Sequence, residues 1–473
     1  MQAVPIELGM GRRAIWQVIV ERFEQYAPAS VMARLALEQA LPAVWVDEVF
    51  QTHRRRQYPR ELMFSTIVEL MSLVALGLRP SLHAAVRKME KLPVSLAALY
   101  DKLQRTEPEI LRALVRGSAQ RLAPVAGLLD CQSSLPGWQL RIVDGNHLPG
   151  SDKRLALLRG QRGAALPGHS LVVYDPDLGL ACDLVACEDA YESERVGVQP
   201  LVDSAQPGQV WIADRHFCTL PLLGSLLQAR ACFLVREHNA HPRLIAQGDW
   251  SQPQRIETGW VREQAIKVLN LHDQQPEQPV WRRIEIELDT PTQAGETLLW
   301  LWSNLPAQID ASTIASLYRR RWRIENMFQR LESVLNSEIK SLGHPRAALL
   351  GFAVALLAYN VVALLQRTVE QAHRPEHPQL QVSTYHLVEH IKSGYEGMLI
   401  AVPPEHWPPL LPDQPEILAQ KLLRLARHIR PAKLATSKRG PKRDQPKAYV
   451  DATQARAHFS TARLLAQRRG KRP

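Results

Sequence analysis

Hydrophobic residues in the first 130 positions recur at the spacing of helices. Three stretches, 15–26, 60–78 and 109–122, carry apolar residues every three or four positions, which is the period of one buried helix face. Prolines at positions 59, 80, 93 and 108 punctuate these stretches, because proline has no amide hydrogen to donate within a helix. The pattern predicts an all-helical N-terminal domain over residues 1–130.

Beyond position 138 the pattern changes to short segments rich in β-branched residues. Glycine, proline and aspartate bound these segments, as is typical of strands. A helix over 192–201, a strand, a helix over 220–229 and another strand follow, and this order indicates a mixed α/β layer over residues 131–239. The predicted strands are LRIVDGNHL, SLVVYDPD, LACDLVACE, QVWIAD and ACFLVRE.

The second half of the chain returns to helices after an interruption. Residues 240–306 contain proline- and glutamine-rich turns and the predicted strands RRIEIELDT and TLLWLWSNL, which indicate a β-rich insertion. Residues 311–335 have helical character with no internal glycine or proline. We therefore expect the α/β core to resume over 307–370, a helical C-terminal region over 371–430, and a flexible tail over 431–473.

One apolar stretch is long enough to cross a bilayer. Residues 347–365 are apolar except for Tyr359 and Asn360, and the hydrocarbon thickness to be spanned is about 30 Å. The small residues Gly351, Ala353 and Ala358 favour close packing against other helices. We therefore expect a buried helix rather than a membrane span.

Charge is concentrated at the C-terminus. The chain of 473 residues has a formal net charge of +11, and residues 421–473 hold 16 Lys and Arg against two Asp. Such a segment favours nucleic acid as a partner by counterion release, with an anionic membrane surface second and a solubilising tail as the plain alternative. Five cysteines without a CxxC pair and a start without a secretory pattern favour the cytoplasm.

A basic cluster also occurs within the helical N-terminal domain. His53, Arg54, Arg55 and Arg56 lie together near a predicted helix start. The cluster suits contacts with DNA phosphates, and equally suits a solvated loop.

Three acids fall where a sheet would bring them together. Asp144 ends the first predicted strand, Asp214 ends the fourth, and Glu325 lies on the helix after the insertion. Ligands bind at the carboxyl ends of strands in α/β sheets, and carboxylates there can hold two divalent metal ions about 4 Å apart. Because the chain has 47 Asp and Glu, this triple alone is a weak signal.

The residues around Glu325 strengthen the prediction that the three acids form a site. In YRRRWRIENMF, Tyr318, Arg321 and Glu325 follow at intervals of three and four, which places them on one helix face. The other arc, formed by Trp322, Met327 or Phe328, Leu331 and Leu335, is expected to pack on the sheet. The alternative is a surface helix in which Arg321 only bridges Glu325.

At these residues the sequence resembles the IS4 family of insertion-sequence transposases. Tyr318, Arg321 and Glu325 match the Tyr, Arg and Glu of the family signature, Asp144-Gly145 resembles its first aspartate motif, and Asp214 with the following Arg, His and Phe resembles the second. The resemblance spans roughly 138–365. One signature residue differs: Glu332 stands where the family has a lysine that contacts DNA phosphates. An acid there would repel a phosphate, unless Arg330 or Lys340 contacts that phosphate instead.

The resemblance implies an RNase H-like mixed sheet in which Asp144, Asp214 and Glu325 hold two Mg²⁺ ions, with Mn²⁺ able to substitute. It implies cut-and-paste transposition of double-stranded DNA through hairpin ends, and a homodimer in the synaptic complex. Tyr318 and Arg321 would bind a phosphate, and Trp300 or Trp302 of the insertion would stack a flipped base, although core packing is the commoner role of such tryptophans. Two alternatives stay open: a relative that binds DNA without cutting it, and a metal-dependent nuclease.

Overall fold

The N-terminal part of the chain is built from helices. The computed structural model describes residues 7–55, 57, 61–89, 92–129, 132–240, 242–268, 280–292, 295–436 and 458–470. The hydroxyls of Ser81 and Ser95 cap the helices that begin at Leu82 and Leu96, each accepting a hydrogen bond from an amide three residues later at 3.2 Å. The N-terminal helices are Glu7–Tyr26 (α1), Pro28–Ala40 (α2), Ala43–His53 (α3), Phe64–Ala75 (α4), Leu82–Arg87 (α5), Leu96–Arg105 (α6) and Pro108–Gly127 (α7).

A mixed sheet follows, as the shortened hydrophobic period predicts. Its strands are Gln139–His147 (β1), His169–Asp175 (β3), Leu180–Cys187 (β4), Gln209–Ala213 (β5), Cys232–Arg236 (β6), Leu244–Ala246 (β7), Gln254–Ile256 (β8), Gly259–Val268 (β9), Trp281–Leu288 (β10) and Leu298–Ser303 (β11), and the short Ala164–Leu166 (β2) lies apart from it. The spatial order is β4-β3-β1-β5-β6-β11-β10-β9-β7, and β8 pairs with β9. Strands β1, β5 and β6 are parallel, whereas β4, β3 and β1 are antiparallel neighbours. This order and these directions are those of an RNase H-like core.

The β-rich insertion extends the core sheet. Strand β11 pairs antiparallel with β6, and β10, β9 and β7 continue outward from it. Buried residues of β9, β10 and β11 join both apolar layers of the sheet: Val261, Ile284 and Leu301 belong to one layer, and Ile266, Trp281 and Trp302 to the other.

Helices cover both faces of the sheet. One face packs against α9 (Gln199–Val202) and α10 (Leu220–Gln228), and the other against α7, α12 (Trp322–Ser333) and α13 (Pro345–His373). Alternate residues of β1 face opposite sides of the sheet: Ile142 packs in the layer with α7, α12 and α13, and Val143 packs in the layer with α9 and α10. The short α8 (Glu194–Gly197) precedes α9, and α11 (Ala311–Arg319) precedes α12.

Helix α13 is the apolar helix expected from the sequence. Of the described helices it alone has the length and hydropathy of a membrane span, and 89% of its most apolar window is buried against the rest of the protein. Asn360 is fully buried on it and binds the backbone of Ala181 twice, donating to the carbonyl and accepting from the amide, both at 2.8 Å. Its side chain thereby satisfies the outer edge of strand β4.

The C-terminal region contains ordered elements beyond its predicted helices. Helices α14 (Thr384–Ala401) and α15 (Pro415–Ala426) pack against α2 and α13. Within the segment predicted to be a flexible tail, His458–Ser460 forms strand β12 and Thr461–Gly470 forms helix α16. That prediction is wrong for these residues, because β12 pairs with β2 and thus gains backbone hydrogen bonds that composition does not reveal.

Candidate active site

Asp144 and Asp214 lie at the ends of two neighbouring parallel strands. In the register of β1 and β5, Ile142 is opposite Ile212, so two residues further on Asp144 is level with Asp214. Adjacent strands are about 4.8 Å apart, and side chains at even spacing point to the same face. Both aspartates therefore project toward the layer that contains α12, since Ile142 and Ile212 belong to that layer.

Local hydrogen bonds orient the two carboxylates. Asp214 caps the 3₁₀ turn Arg215–Phe217 and accepts from the amide of His216 at 2.8 Å. Asp144 accepts from the amide of Gly145 at 2.9 Å. Both bonds use the Oδ1 atom, so the Oδ2 atom of each carboxylate lies outside these local bonds.

The helix that carries Glu325 is broken just before it. The prediction of an unbroken helix over 311–335 is wrong, because α11 ends at Arg319 and α12 begins at Trp322. Between them the amide of Arg321 bonds to the carbonyl of Tyr318 at 3.0 Å, a tighter 3₁₀ turn. Four arginines within five residues repel one another here at helical spacing, which weakens a continuous helix.

Arg321 links the two parts of the site. Its guanidinium donates to the carboxylate of Asp144 at 3.0 Å and to that of Glu325 at 2.6 Å, and it hydrogen-bonds the hydroxyl of Tyr318. Only 13% of the Arg321 side chain is exposed. The structure thus brings Tyr318, Arg321 and Glu325 together as the 3 and 4 spacing predicts, and adds Asp144, which is 177 residues away in sequence.

The site has more negative charge than Arg321 neutralises. Burial, together with the carboxylates of Asp214 and Glu325, raises the pKa of Asp144 to about 7 even though Arg321 opposes the shift. Burial raises the pKa of Tyr318 to about 12. The Tyr318, Asp144 and Glu325 side chains raise the pKa of Arg321 against the effect of its own burial. Further positive charge would relieve this repulsion.

Divalent cations match the donors of this site, but Arg321 stands between two of them. Carboxylate oxygens are the ligands that Mg²⁺ prefers, and Asp144, Asp214 and Glu325 supply such oxygens, with Arg321 bonded to two of these carboxylates. No three His, Cys, Asp or Glu side chains within the described part of the chain lie close enough to hold a metal ion. The donor chemistry fits, and the guanidinium separates Asp144 from Glu325.

A further carboxylate that sequence reasoning missed approaches from the opposite face of the sheet. Glu194, at the start of α8, lies over Gly145, where a Cβ atom would be 2.0 Å from its carboxylate oxygen. Burial and the charge of Asp214 raise the pKa of Glu194, and His147, 4.0 Å away, opposes that shift. The Gly145 of the first aspartate motif was the available signal, because a glycine beside a functional strand end often marks a close approach.

The two tryptophans proposed to stack a base are not at the carboxylates. Trp302 is fully buried and packs against Trp281 with ring centroids 6.3 Å apart, so base stacking is wrong for Trp302 and core packing is right. Trp300 is half-buried, bonds Glu285 at 3.1 Å, and shares its strand face with Trp302. That face is opposite the one toward which the aspartates point, and β6 and β5 separate β11 from β1.

Trp322 is an aromatic residue beside the site. The prediction that it packs on the sheet is wrong, since it is 52% exposed, whereas Met327, Leu331 and Leu335 are buried as expected. Its ring lies 5.4 Å from the guanidinium carbon of Arg321. Trp322 is the first residue of α12 and comes two residues before the buried Ile324, so at 3.6 residues per turn it points away from the buried face of that helix.

The basic cluster of the N-terminal domain is partly neutralised. It lies at the end of α3, not at a helix start, and Arg54 is the C-cap residue. Arg55 donates to Glu109 at 2.6 Å while remaining 71% exposed, and Arg54 bonds Gln51 at 2.8 Å. Arg56 lies outside the described residues. The described contacts tie the end of α3 to its neighbours.

Glu332 lies on the same side of α12 as Glu325, two turns further along. Glu332 is exposed. Burial raises the pKa of Glu338, the negative charge of Glu332 raises it further, and the positive charge of Lys340 opposes the shift. Arg330 instead lines a separate cavity of about 460 Å³ with Arg323 and Arg367. Of the two cations proposed to replace the missing lysine, Lys340 is therefore the one near Glu332.

Comparison with known proteins agrees with this arrangement. Residues 139–361 match the family described as "Transposase DDE domain". The chain is also 23% identical over 285 residues to a Sinorhizobium fredii protein named "Putative transposase y4zB", a match that covers 56% of this chain and 75% of the relative. Residues 139–361 contain Asp144, Asp214, Arg321 and Glu325, so the RNase H-like core of this chain is similar to a transposase DDE domain.

Proposed function

We propose that the protein is a cut-and-paste DNA transposase of the IS4 type, which cleaves transposon ends through hairpin intermediates and joins them to target DNA. The observation that carries the proposal is the convergence of Asp144 and Asp214, level on neighbouring strands, with Glu325 held to Asp144 through Arg321. The similarity of residues 139–361 to transposase DDE domains supports transposase activity, and such domains generally use divalent metal ions.

In this proposal Asp144, Asp214 and Glu325 hold two Mg²⁺ ions, and Mn²⁺ substitutes. One ion would activate a water molecule or a 3′-hydroxyl of the DNA as the nucleophile, and the other would neutralise the charge that develops on the leaving oxygen. The strand ends hold the two aspartates rigidly, and the start of α12 presents Glu325 to them. Arg321 keeps the carboxylates together in the absence of cations.

We also propose that Arg321 and Tyr318 bind a DNA phosphate once Arg321 leaves its carboxylate partners. A guanidinium offers a planar pair of donors that matches a phosphate, and a phenol adds one further donor. Tyr318 is only 8% exposed, so its hydroxyl is already oriented by its surroundings. Trp322, exposed beside Arg321, is better placed than Trp300 to stack a base at this site.

Glu194 provides a prediction about positioning. We expect Gly145→Ala to lower cleavage about tenfold with little loss of stability, since the added methyl displaces the flexible Glu194 side chain from beside the site. Initial rates of strand cleavage and the melting temperature would test this. The matched control is Gly224→Ala in α10, where an added Cβ meets nothing within 4 Å. Equal activity of Gly145→Ala and wild type would show that this approach is unimportant.

The proposed function predicts metal-dependent cleavage of a specific duplex. An end-labelled duplex carrying the repeats that flank the coding sequence would be incubated with Mg²⁺ or Mn²⁺, and the products resolved on a denaturing gel. We expect nicks at the repeat boundary, hairpin ends and joined products. Hydrolysed ends without joining would favour a metal-dependent nuclease, and binding without scission would favour a DNA-binding relative in which Glu332 replaces the lysine.

Assembly on DNA follows from the same proposal. Two transposon ends must be cut together, so we propose a homodimer in the synaptic complex with double-stranded DNA. Because closed dimers use one surface on both partners, the complex would have two equivalent sites. The mass of the protein with and without paired ends, measured in solution, reports this state.

A further inference from the structure

The C-terminal segment returns to the core by pairing with β2, the short strand that lies apart from the core sheet. Strand β12 runs parallel to β2, with Phe459 opposite Ala165 and Ser460 opposite Leu166. Ser460 is 2% exposed and Thr461 is fully buried. Pairing of this kind satisfies backbone groups that would otherwise require water. The last described segment of the chain is thus an integral part of the core surface.

Polar contacts anchor this strand to the loop that follows β4. The hydroxyl of Ser460 donates to the carboxylate of Asp189 at 2.6 Å, and the amide of Ala190 donates to the same hydroxyl at 3.3 Å. Arg463 forms an ion pair with Asp189 at 2.6 Å. The ammonium of Lys153 lies 6.0 Å from the ring of Phe459. The docked segment therefore contacts both the loop around β2 and the end of β4.

Docking brings two basic segments side by side. The loop 148–163 has four Lys and Arg against one acid, and α16 has three Arg and no acid. Helix α16 contacts the turn at Ala156–Leu158 in the middle of that loop. We call the combined surface the basic shelf. Apart from Arg463, which is paired with Asp189, its described cations are Lys153, Arg154, Arg159, Arg162 and Arg468, and all but the half-buried Lys153 are exposed.

The basic shelf lies close in sequence to the carboxylate site, because its loop 148–163 follows the strand that carries Asp144. Its loop follows β1 directly, and β1 ends at His147, three residues beyond Asp144 and so roughly 10 Å from it. The amide of Asp152 bonds the carbonyl of Lys340 at 2.9 Å, which joins the loop to the segment after α12. DNA bound at the carboxylates and continuing past Glu332 and Lys340 would reach this surface.

We propose that the basic shelf binds the backbone phosphates of the duplex that flanks the phosphodiester held at the carboxylates. This rests on the proposed function, and adds a surface completed only when β12 docks on β2. In this proposal the cations of the basic shelf make phosphate contacts in place of the signature lysine, because Glu332 at that position would repel a phosphate. Contacts of this type carry no sequence information and weaken steeply with salt.

The salt dependence of binding tests the proposal. Dissociation constants of the full chain for a 40-base-pair duplex would be measured in EDTA at several salt concentrations. We expect Arg159→Ala/Arg468→Ala to weaken binding about tenfold at moderate salt and to reduce the slope of log K against log salt by about 1.8, roughly 0.9 for each lost contact. Arg243→Ala is the matched control, because Arg243 is exposed next to β7 at the other edge of the sheet.

A second variant separates docking from charge. Ser460→Leu leaves every charge unchanged, removes the hydroxyl that bonds Asp189 and Ala190, and puts a larger side chain at a position that is 2% exposed, so β12 should detach. Faster hydrogen exchange of the β2 amides would report this. We expect detachment to weaken duplex binding at least as much as the double arginine variant. Unchanged affinity after detachment, or an unchanged slope in the double variant, overturns the proposal while the transposase function stands. A wild-type chain that binds no duplex at low salt overturns both.

Discussion

Replacing Glu325 with glutamine is expected to lower DNA cleavage by at least about a thousandfold while leaving the fold and DNA binding in place. Glutamine keeps the size of the side chain and can still accept from Arg321, which now bonds Glu325 at 2.6 Å. It removes the negative charge that a divalent cation requires. Loss of about 4 kcal/mol of stabilisation of developing charge, a typical contribution of a bound metal, corresponds to this factor.

Glu332→Gln is the matched control for that experiment. Glu332 is exposed two turns further along the same side of α12, so its substitution makes the same chemical change on the same helix. Single-turnover cleavage and duplex affinity would be measured for both variants, with circular dichroism to compare their folds. Near-normal cleavage by Glu325→Gln would remove Glu325 from the proposed metal ligands and would leave Asp144 and Asp214 to be explained by another mechanism.

Asn360→Leu is expected to destabilise the protein by about 2–5 kcal/mol. The substitution keeps the number and branching of the side-chain heavy atoms but removes both hydrogen bonds to Ala181, each 2.8 Å long and each buried. A buried backbone group left without a partner costs roughly 1–3 kcal/mol, and this change leaves two. Since β4 is the edge strand, no neighbouring strand can replace the lost bonds.

Denaturant unfolding and hydrogen exchange together would test this expectation. The urea midpoint should fall for Asn360→Leu, and the amides of the peptide around Ala181 should lose protection before those of β1. Asn239→Ala, at an exposed loop position, should stay within about 0.5 kcal/mol of wild type. A stability change for Asn360→Leu no larger than that of the control would mean that β4 does not depend on this side chain.

Several features could be predicted from sequence because they depend on residues close in the chain. The runs rich in β-branched residues in β1 and β5 indicated strands, and the acids near their ends, Asp144 and Asp214, were thereby placed at strand ends. The 3 and 4 spacing of Tyr318, Arg321 and Glu325 predicted that these side chains meet, and they do so even though the helix is broken by a 3₁₀ turn. Local backbone geometry repeats every two or 3.6 residues, so these relations survive small departures from ideal structure.

Other features required the order of strands and the identity of each covered face. Arg321 bonds Asp144, 177 residues away, because α12 crosses β1. Trp302 is buried because the layer behind β11 covers its face, and Trp322 is exposed because the sheet covers only the opposite face of α12, which carries Ile324, Met327 and Leu331. Glu194 reaches Gly145 from behind the sheet. None of these contacts has a periodic signature in the chain.

The sequence by itself determined the strand and helix types, the positions of the three acids and the shared face of Tyr318, Arg321 and Glu325. Only the tertiary structure decided that Arg321 bridges Asp144 and Glu325, that Asn360 completes the edge of β4, and that β12 joins β2. The physical reason is that local periodicity specifies which way a side chain points from its own element. Which partner it meets depends on pairing between elements hundreds of residues apart, where burial and hydrogen bonding of the whole fold select one arrangement.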